Sequence, residues 1–193
     1  MEDLRIAVLE GRRGAQVEYA FRYPQTAHGR SSFDRFWRQT AVGLQRQAAG
    51  EPGRFPTALA SEWQETRRDE RFCSGFLEIS RRVGHGDWSL WRISATFSKA
   101  DPGPLPLRRL LGKEWQRRLW PSIRERLDAM EGESLFFRDW QRQAAALLGG
   151  GRYYLTGEGL CIWFPQETLG PKNAGLPTVL LPYNTLDILR PLW

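Results

Sequence analysis

The sequence predicts an α+β fold in which helices pack on an antiparallel β-sheet. Strand-like runs occur in groups of two, two and three along the chain, and helical segments separate the groups. This order differs from the alternation of single strands and crossover helices that is typical of a doubly wound parallel sheet. With 193 residues, 41% of them hydrophobic, the chain is also long enough to bury a core.

The first group is a predicted β-hairpin. Apolar and polar residues alternate over Leu4–Glu10 and Gln16–Tyr23, on either side of the basic turn Gly11–Gly14. Two alternating runs joined by such a turn are typical of paired antiparallel strands. We expect the second strand to end at Tyr23, because the next residue, Pro24, cannot continue a hydrogen-bonded ladder.

A helix is predicted after this hairpin. Ser31 and Ser32 are good N-cap residues, and apolar side chains then recur every three to four residues until Gly50. The following stretch, from Phe55 to about Glu70, is polar with alanine and glutamate. We expect this stretch to continue the helix or to form a second one.

The middle group is a predicted half-exposed hairpin. Its strands are Arg71–Val83 and Trp88–Phe97, and the turn Gly84–Asp87 separates them. Apolar and polar residues alternate in the second strand, which predicts one apolar face and one solvated face.

Two helices are predicted next. Asp101–Pro104 is a strong breaker, and a helix is expected over Trp115–Met130, kinked or restarted at Pro121. A second helix is expected over Ser134–Leu148. The glycines at 149–151 stop it, because glycine readily takes the left-handed conformation that follows a helix.

The last group consists of three short strands. The first two flank the turn Thr156–Gly159, and a connector rich in glycine, proline and asparagine leads to the third, which Pro182 closes. The chain is expected to form either one compact domain or two packed halves. These halves would be a hairpin-plus-helix segment, residues 1–70, and a second α+β segment, residues 71–193.

Several motifs occur in an order that is found in a known family. They are Tyr153–Thr156, the aromatic strand ending at Pro165, the connector Leu169–Pro177 and the finish Leu181–Tyr183, preceded near the N-terminus by Tyr23-Pro24 and a helix. This order resembles the C-terminal domain shared by RsiV-type anti-sigma factors and PdaC-type peptidoglycan deacetylases. The resemblance covers most of the chain and is strongest over residues 152–183.

The resemblance implies a non-catalytic binding or sensing module of the bacterial cell envelope. In the RsiV relatives the ligand is lysozyme, and its binding exposes the anti-sigma factor to proteolysis. The deacetylase chemistry of the PdaC proteins belongs to a separate domain. Two loops depart from the family pattern: the spacing around His85 differs, and Leu169–Gly175 lacks the usual tyrosine.

The composition indicates the cellular compartment of the protein and the class of partner that it binds. No signal peptide or long apolar run is present, so the sequence as written predicts a cytoplasmic protein, whereas the relatives are usually extracytoplasmic. Cys73 and Cys161 are expected to be reduced, buried thiols. The net charge of +6 suits an acidic ligand or nucleic acid, but no recognised nucleic-acid-binding module is present and nucleic acid is not the expected partner.

Few residues are suited to catalysis. Of the two histidines, His85 is the better candidate, because glycines flank it and Asp87 follows closely enough to orient its ring. A small cell-wall-active hydrolase that uses His85 and a nearby carboxylate is therefore the alternative function. Neither a metal site nor a cofactor is predicted, because too few ligands lie near one another in the sequence.

The favoured function is recognition of a protein or glycan ligand. Tryptophan and arginine often dominate binding surfaces, and both types occur on or beside the predicted strands. Arg81 and Arg82 extend the same basic and aromatic patch. The predicted binding residues are His85, Trp88, Trp91, Arg92 and Trp163.

Overall fold

The computed structural model describes residues 3–13, 16–50, 56–131 and 136–186. The strands within these residues are β1 (Leu4–Arg13), β2 (Val17–Thr26), β3 (Thr57–Arg68), β4 (Phe72–Val83), β5 (Ser89–Ser98), β6 (Tyr153–Leu155), β7 (Gly159–Trp163) and β8 (Thr178–Pro182). The α-helices are α1 (Ser32–Gly50), α2 (Leu107–Leu111), α3 (Trp115–Glu131), α4 (Trp140–Leu147) and α5 (Tyr183–Leu186). None of the helices in these ranges is long and apolar enough to cross a membrane.

The strands form two sheets, which confirms the predicted α+β class. The larger sheet has the strand order β1-β2-β3-β4-β5, and the smaller has the order β6-β7-β8. The expectation of a purely antiparallel sheet is wrong at one pair, because β2 and β3 run parallel, with Val17 opposite Thr57 and Phe21 opposite Ser61. Parallel neighbours need a long crossover connection, and α1 provides it.

The chain divides into two compact units. Unit 1 comprises Met1–Gln64 and Phe76–Ile93, and unit 2 comprises Glu65–Gly75 and Ser94–Trp193. The boundaries fall inside β3, β4 and β5, so each of these strands contributes residues to both units.

The helix expected between Phe55 and Glu70 is absent, and this part of the prediction is wrong. Residues 57–68 form β3 instead, while Phe55 lies outside the described residues. The side chains of Thr57, Leu59 and Ser61 are buried at every second position, as in a strand with one covered face. Alanine and glutamate are good helix formers, but intrinsic helix propensity is a weak preference, and tertiary pairing with β2 overrides it.

The predicted end of the second strand at Pro24 is also wrong. β2 continues to Thr26, and Pro24 lies opposite Ile6 of β1. Proline is tolerated in a strand at a position where a backbone N–H group would have no neighbouring strand to bond. In the described residues the pairing of β2 with β3 extends only from Val17 to Phe21, so the missing N–H breaks no bond on that side.

The helix α1 confirms the sequence prediction and fills the core of unit 1. The indole of Trp37 is fully buried, and its ring centre lies 4.8 Å from that of Trp63 on β3. The helix buries one apolar stripe, with repeats of three and four residues. This stripe consists of Phe33, Trp37, Ala41, Leu44 and Ala48.

A buried carboxylate fixes the start of α1. Asp34 accepts hydrogen bonds from the amide and hydroxyl of Thr26, at 2.6 and 2.7 Å, and from the amide and hydroxyl of Ser31, at 2.7 and 2.6 Å. The Ser31 oxygen in turn accepts the amide N–H of Asp34 at 3.1 Å, so the two side chains cap the helix reciprocally. Burial favours the neutral acid, but these hydrogen bonds outweigh it and lower the pKa of Asp34.

The core of unit 2 is built around α3, which confirms the helix predicted over Trp115–Met130. Leu119, Ile123 and Leu127 are fully buried, and Pro121 lies inside the helix without ending it. The helix expected over 134–148 is shorter, since α4 begins only at Trp140, after a turn in which its amide bonds the carbonyl of Phe137. Residues 134 and 135 lie outside the described residues.

The three predicted C-terminal strands are confirmed as β6, β7 and β8, which are antiparallel neighbours. Buried hydroxyl groups attach β6 to other parts of unit 2. Ser74 lies 2.8 Å from the hydroxyl of Thr96 and accepts the amide N–H of Leu155 at 2.8 Å. The hydroxyl of Thr66 donates to the carbonyl of Leu155 at 2.6 Å, so both backbone polar groups of this residue are paired.

Candidate binding surface

The predicted binding residues on the middle hairpin lie at one end of unit 1. His85 and Asp87 occupy the turn between β4 and β5, and both side chains are exposed. Trp88 follows with 41% of its surface exposed. The guanidinium carbon of Arg82 lies 4.9 Å from the centre of the Trp88 ring, a distance typical of a cation–π contact.

Two backbone hydrogen bonds bring other loops to this end of the sheet. The amide of Thr57 donates to the carbonyl of Gln16 at 2.6 Å, which holds the start of β3 beside the start of β2. The amide of Gly84 donates to the carbonyl of Pro56 at 2.6 Å, which holds the end of β4 on the other side of β3. The start of β2 therefore lies at the same end of the sheet as the turn between β4 and β5.

Two open clefts flank β3 at this point. The sheet-end cleft, with a volume of about 180 Å³, is lined by residues that include Arg12, Glu18, Thr57, Arg82 and Gly84. The helix-side cleft, with a volume of about 250 Å³, is lined by Gln47, Ala48, Thr57, Leu59, Arg81 and Trp91. Arg82 lines the sheet-end cleft and Arg81 lines the helix-side cleft, because consecutive side chains of a strand point to opposite faces.

We call this end of unit 1 the basic-aromatic surface, defined by Arg12, Arg81, Arg82, Trp88 and Trp91. The sequence prediction placed the two tryptophans and their neighbouring arginines together because they share one hairpin. It missed Arg12 and Thr57, which reach the surface only through the pairing of β2 with β3. The basic turn at residues 11–14 was the one available signal for Arg12.

Arg92 has a different environment. Its guanidinium forms an ion pair with Glu78 at 2.8 Å and lies 4.4 Å from the centre of the Phe76 ring. The side chain is only 18% exposed. The guanidinium of Arg92 is therefore already paired within unit 1, where it connects side chains of β4 and β5. Little of its surface is exposed to a ligand.

Trp163 belongs to unit 2. It is 5% exposed, and its indole N–H donates to the hydroxyl of Ser94 at 2.8 Å. The indole therefore has its hydrogen-bond partner inside this unit. In the sequence its aromatic strand gave no sign of whether the tryptophan faces solvent or core.

The chemistry available to His85 is limited. Among the residues that the structure describes, His85 makes no hydrogen bond or ion pair. Cys73 and Cys161 are buried and are not joined in a disulfide, as the sequence predicted. Within the same described ranges, no group of three or more histidine, cysteine, aspartate or glutamate side chains is arranged to hold a metal ion.

Comparisons with known proteins identify the fold. Neither a family model nor a curated protein matches the sequence. A solved structure of a DUF3298 family member from Bacteroides fragilis NCTC 9343 is similar, with a TM-score of 0.66, 9% identity, and coverage of 97% of this chain and 94% of that chain. A DUF3298 family protein from Pseudomonas aeruginosa PAO1 has a TM-score of 0.62, 11% identity, and coverage of 97% and 93%. The chain therefore has the α+β fold seen in these DUF3298 structures.

Proposed function

We propose that the chain is a non-enzymatic binding domain that recognises an acidic protein surface through its basic-aromatic surface. The observation that carries this proposal is the cation–π contact of Arg82 with Trp88. Both side chains are exposed, and Arg82 lines the sheet-end cleft. The contact restrains the Arg82 side chain before a partner arrives, so less side-chain entropy is lost on binding.

The size of the clefts favours a macromolecular partner. Their volumes of about 180 and 250 Å³ lie below the roughly 300–1,000 Å³ of typical small-molecule pockets. Tryptophan and arginine are the residue types that most often dominate protein–protein interfaces. Three arginines, Arg12, Arg81 and Arg82, line the clefts, and Glu18, which pairs with Arg12 at 3.8 Å, is the single acidic lining residue in the described part of the chain.

The sequence resemblance agrees with a binding role. RsiV-type and PdaC-type accessory domains resemble this chain in the order of their motifs, and in the RsiV relatives the ligand is a protein. The part of that role that concerns a sigma factor is not transferred, because it depends on segments beyond the resemblance.

Binding to defined polyanions tests this proposal. Poly-L-glutamate represents an acidic protein surface, and hyaluronan represents an acidic glycan. We expect Arg82→Ala and Trp88→Ala each to weaken poly-L-glutamate binding about ten-fold in calorimetry. Arg124→Ala is the matched control, because Arg124 is an exposed arginine of unit 2 that pairs with Asp128 on its own helix.

The alternative outcomes are distinct. Equal binding by both variants and the wild type contradicts the proposal. Tighter binding of hyaluronan than of poly-L-glutamate, with the same loss in both variants, replaces the protein partner with a glycan. Turnover of an acetylated sugar that disappears in His85→Ala replaces the binding function with the hydrolase alternative.

A further inference from the structure

A further cleft, which lies in unit 2, has the properties of a small-ligand site. It has a volume of about 390 Å³, within the range of pockets that hold small molecules. Its walls come from the start of α2, the start of α3 and the glycine-rich segment after α4. We call it the α2–α3 cleft, and its main lining residues are Leu107, Arg108, Lys113, Trp115, Gln116 and Leu148.

The floor of the α2–α3 cleft is apolar. Leu107, Trp115 and Leu148 are each at least 94% buried, and the cleft exposes what remains of their surface. Gly149 and Gly151 complete the wall and contribute no side chains of their own. An apolar group of a ligand placed there would contact the exposed carbon atoms of these three side chains and would lose part of its contact with water.

The polar groups of the α2–α3 cleft are almost entirely hydrogen-bond donors. Arg108 and Lys113 are exposed cations, and Gln116 adds a side-chain amide. The indole of Trp115 belongs to the same lining, and the residue is 95% buried. No acidic side chain of the described residues lines the cleft, and the neighbouring Glu114 pairs with Arg117 at 3.3 Å.

This arrangement distinguishes the α2–α3 cleft from another cleft of unit 2. That cleft is slightly larger, about 430 Å³, but its lining includes Glu70 and Asp101, and Asp101 already pairs with Arg109 at 2.7 Å. Its cations are therefore partly neutralised by the protein itself. In the α2–α3 cleft, neither Arg108 nor Lys113 pairs with a carboxylate of the described residues.

We propose that the α2–α3 cleft binds a small amphipathic carboxylate, with the apolar group on Leu107, Trp115 and Leu148 and the carboxylate between Arg108 and Lys113. Two cations next to an apolar floor complement a ligand that combines one anionic head with a short hydrocarbon or aromatic body. This inference is independent of the proposed function, because it concerns a different unit and a different class of ligand.

Nuclear magnetic resonance titration of the whole chain with sodium octanoate tests the site. We expect shifts of the Gly149 and Gly151 amide signals and of the Trp115 indole signal, which Trp115→Phe identifies. Octanoate should bind about ten-fold more tightly than 1-octanol, because charge-assisted hydrogen bonds hold its head group. The double variant Arg108→Ala/Lys113→Ala should lose this ten-fold advantage and bind octanol as the wild type does.

The control is Arg124→Ala, which removes an exposed cation from α3 outside the cleft and should leave octanoate binding unchanged. Because Arg108 and Lys113 are exposed, the double variant is expected to fold, and its amide spectrum verifies this. The proposal is overturned by octanol binding as tightly as octanoate, by unchanged octanoate affinity in the double variant, by shifts that map elsewhere, or by no binding.

Discussion

The guanidinium of Arg67 donates a hydrogen bond to the phenolic oxygen of Tyr183, and its central carbon lies 5.2 Å from the centre of the same ring. The Tyr183 hydroxyl donates onward to the carbonyl of Thr156 at 2.6 Å. One phenol thereby connects β3, the start of α5 and the turn between β6 and β7, all within unit 2.

Replacing Tyr183 with phenylalanine should destabilise the protein by about 1–2 kcal/mol, because the variant leaves the Thr156 carbonyl without its donor and removes one acceptor from Arg67. The free energy of unfolding in urea measures this loss. Tyr23→Phe is the matched control, because no hydrogen bond of the Tyr23 hydroxyl is found in the described residues. Equal stability of the two variants would show that the Arg67–Tyr183 link contributes nothing.

Replacing Asp34 with asparagine should cost about 2 kcal/mol at neutral pH, because four donors converge on this buried carboxylate. The pKa of Asp34 is lower in the folded chain than its ordinary value of 3.8. Its stabilising contribution is therefore complete above about pH 3.8 and is lost as the pH falls through the lower, folded pKa. Urea unfolding from neutral to acidic pH measures this dependence.

The Asp34→Asn variant should not show this acid-induced loss of stability. The difference in the free energy of unfolding between this variant and the wild type should therefore shrink below about pH 3.8. Asp87→Asn, which changes an exposed carboxylate in the turn between β4 and β5, is the control and should behave as the wild type. A constant difference between Asp34→Asn and the wild type at all pH values would contradict this account.

Replacing Gly159 with alanine should destabilise unit 2 by about 1–3 kcal/mol. A Cβ atom at this position would lie 2.8 Å from the carbonyl carbon of Leu181, which belongs to the backbone of the neighbouring strand β8. Backbone cannot rotate away as a side chain can, so the strands must separate. Gly157→Ala is the control in the same turn, because a Cβ atom there meets nothing within 4 Å. Thermal unfolding measures the effect, and equal melting temperatures of the two variants would refute the steric argument.

Cys73 should resist alkylation in the folded protein. Burial, together with the nearby Glu65 carboxylate, raises the pKa of its thiol to about 11, although Arg68 opposes the shift. Since the thiolate is the reactive form, iodoacetamide at mildly alkaline pH should modify Cys73 slowly unless urea unfolds the chain. Mass spectrometry of the modified peptides gives the rates. Rapid labelling of Cys73 without denaturant would indicate that the strand β4 opens readily.

The sequence identified those elements whose signals are local. The strands β6, β7 and β8 were predictable because glycines and Pro182 mark their ends, and α1 was predictable from its serine caps and its apolar stripe. The strand β3 was not, because its alternation of Thr57, Leu59 and Ser61 is only weakly apolar. What makes it a strand is the pairing with β2, forty positions earlier, with Val17 opposite Thr57.

The candidate site shows the same limit. Trp88 and Arg82 flank one turn, so their proximity could be inferred from the hairpin alone. The approach of Arg12 depends on the register of three strands, which no single stretch of sequence specifies. The α2–α3 cleft was missed for a similar reason, since Leu107 and Leu148 are brought together only by the packing of unit 2.

The parallel pairing of β2 with β3 also bears on how the protein folds. The chain between Phe21 and Thr57 must close into a long loop before the first hydrogen bond of this ladder forms. Closing the loop lowers the conformational entropy of the chain before any stabilising contact between β2 and β3 has formed. The β1–β2 hairpin, by contrast, joins neighbours across a short turn and can form rapidly. Docking of β3 should therefore be the slow step in the assembly of unit 1.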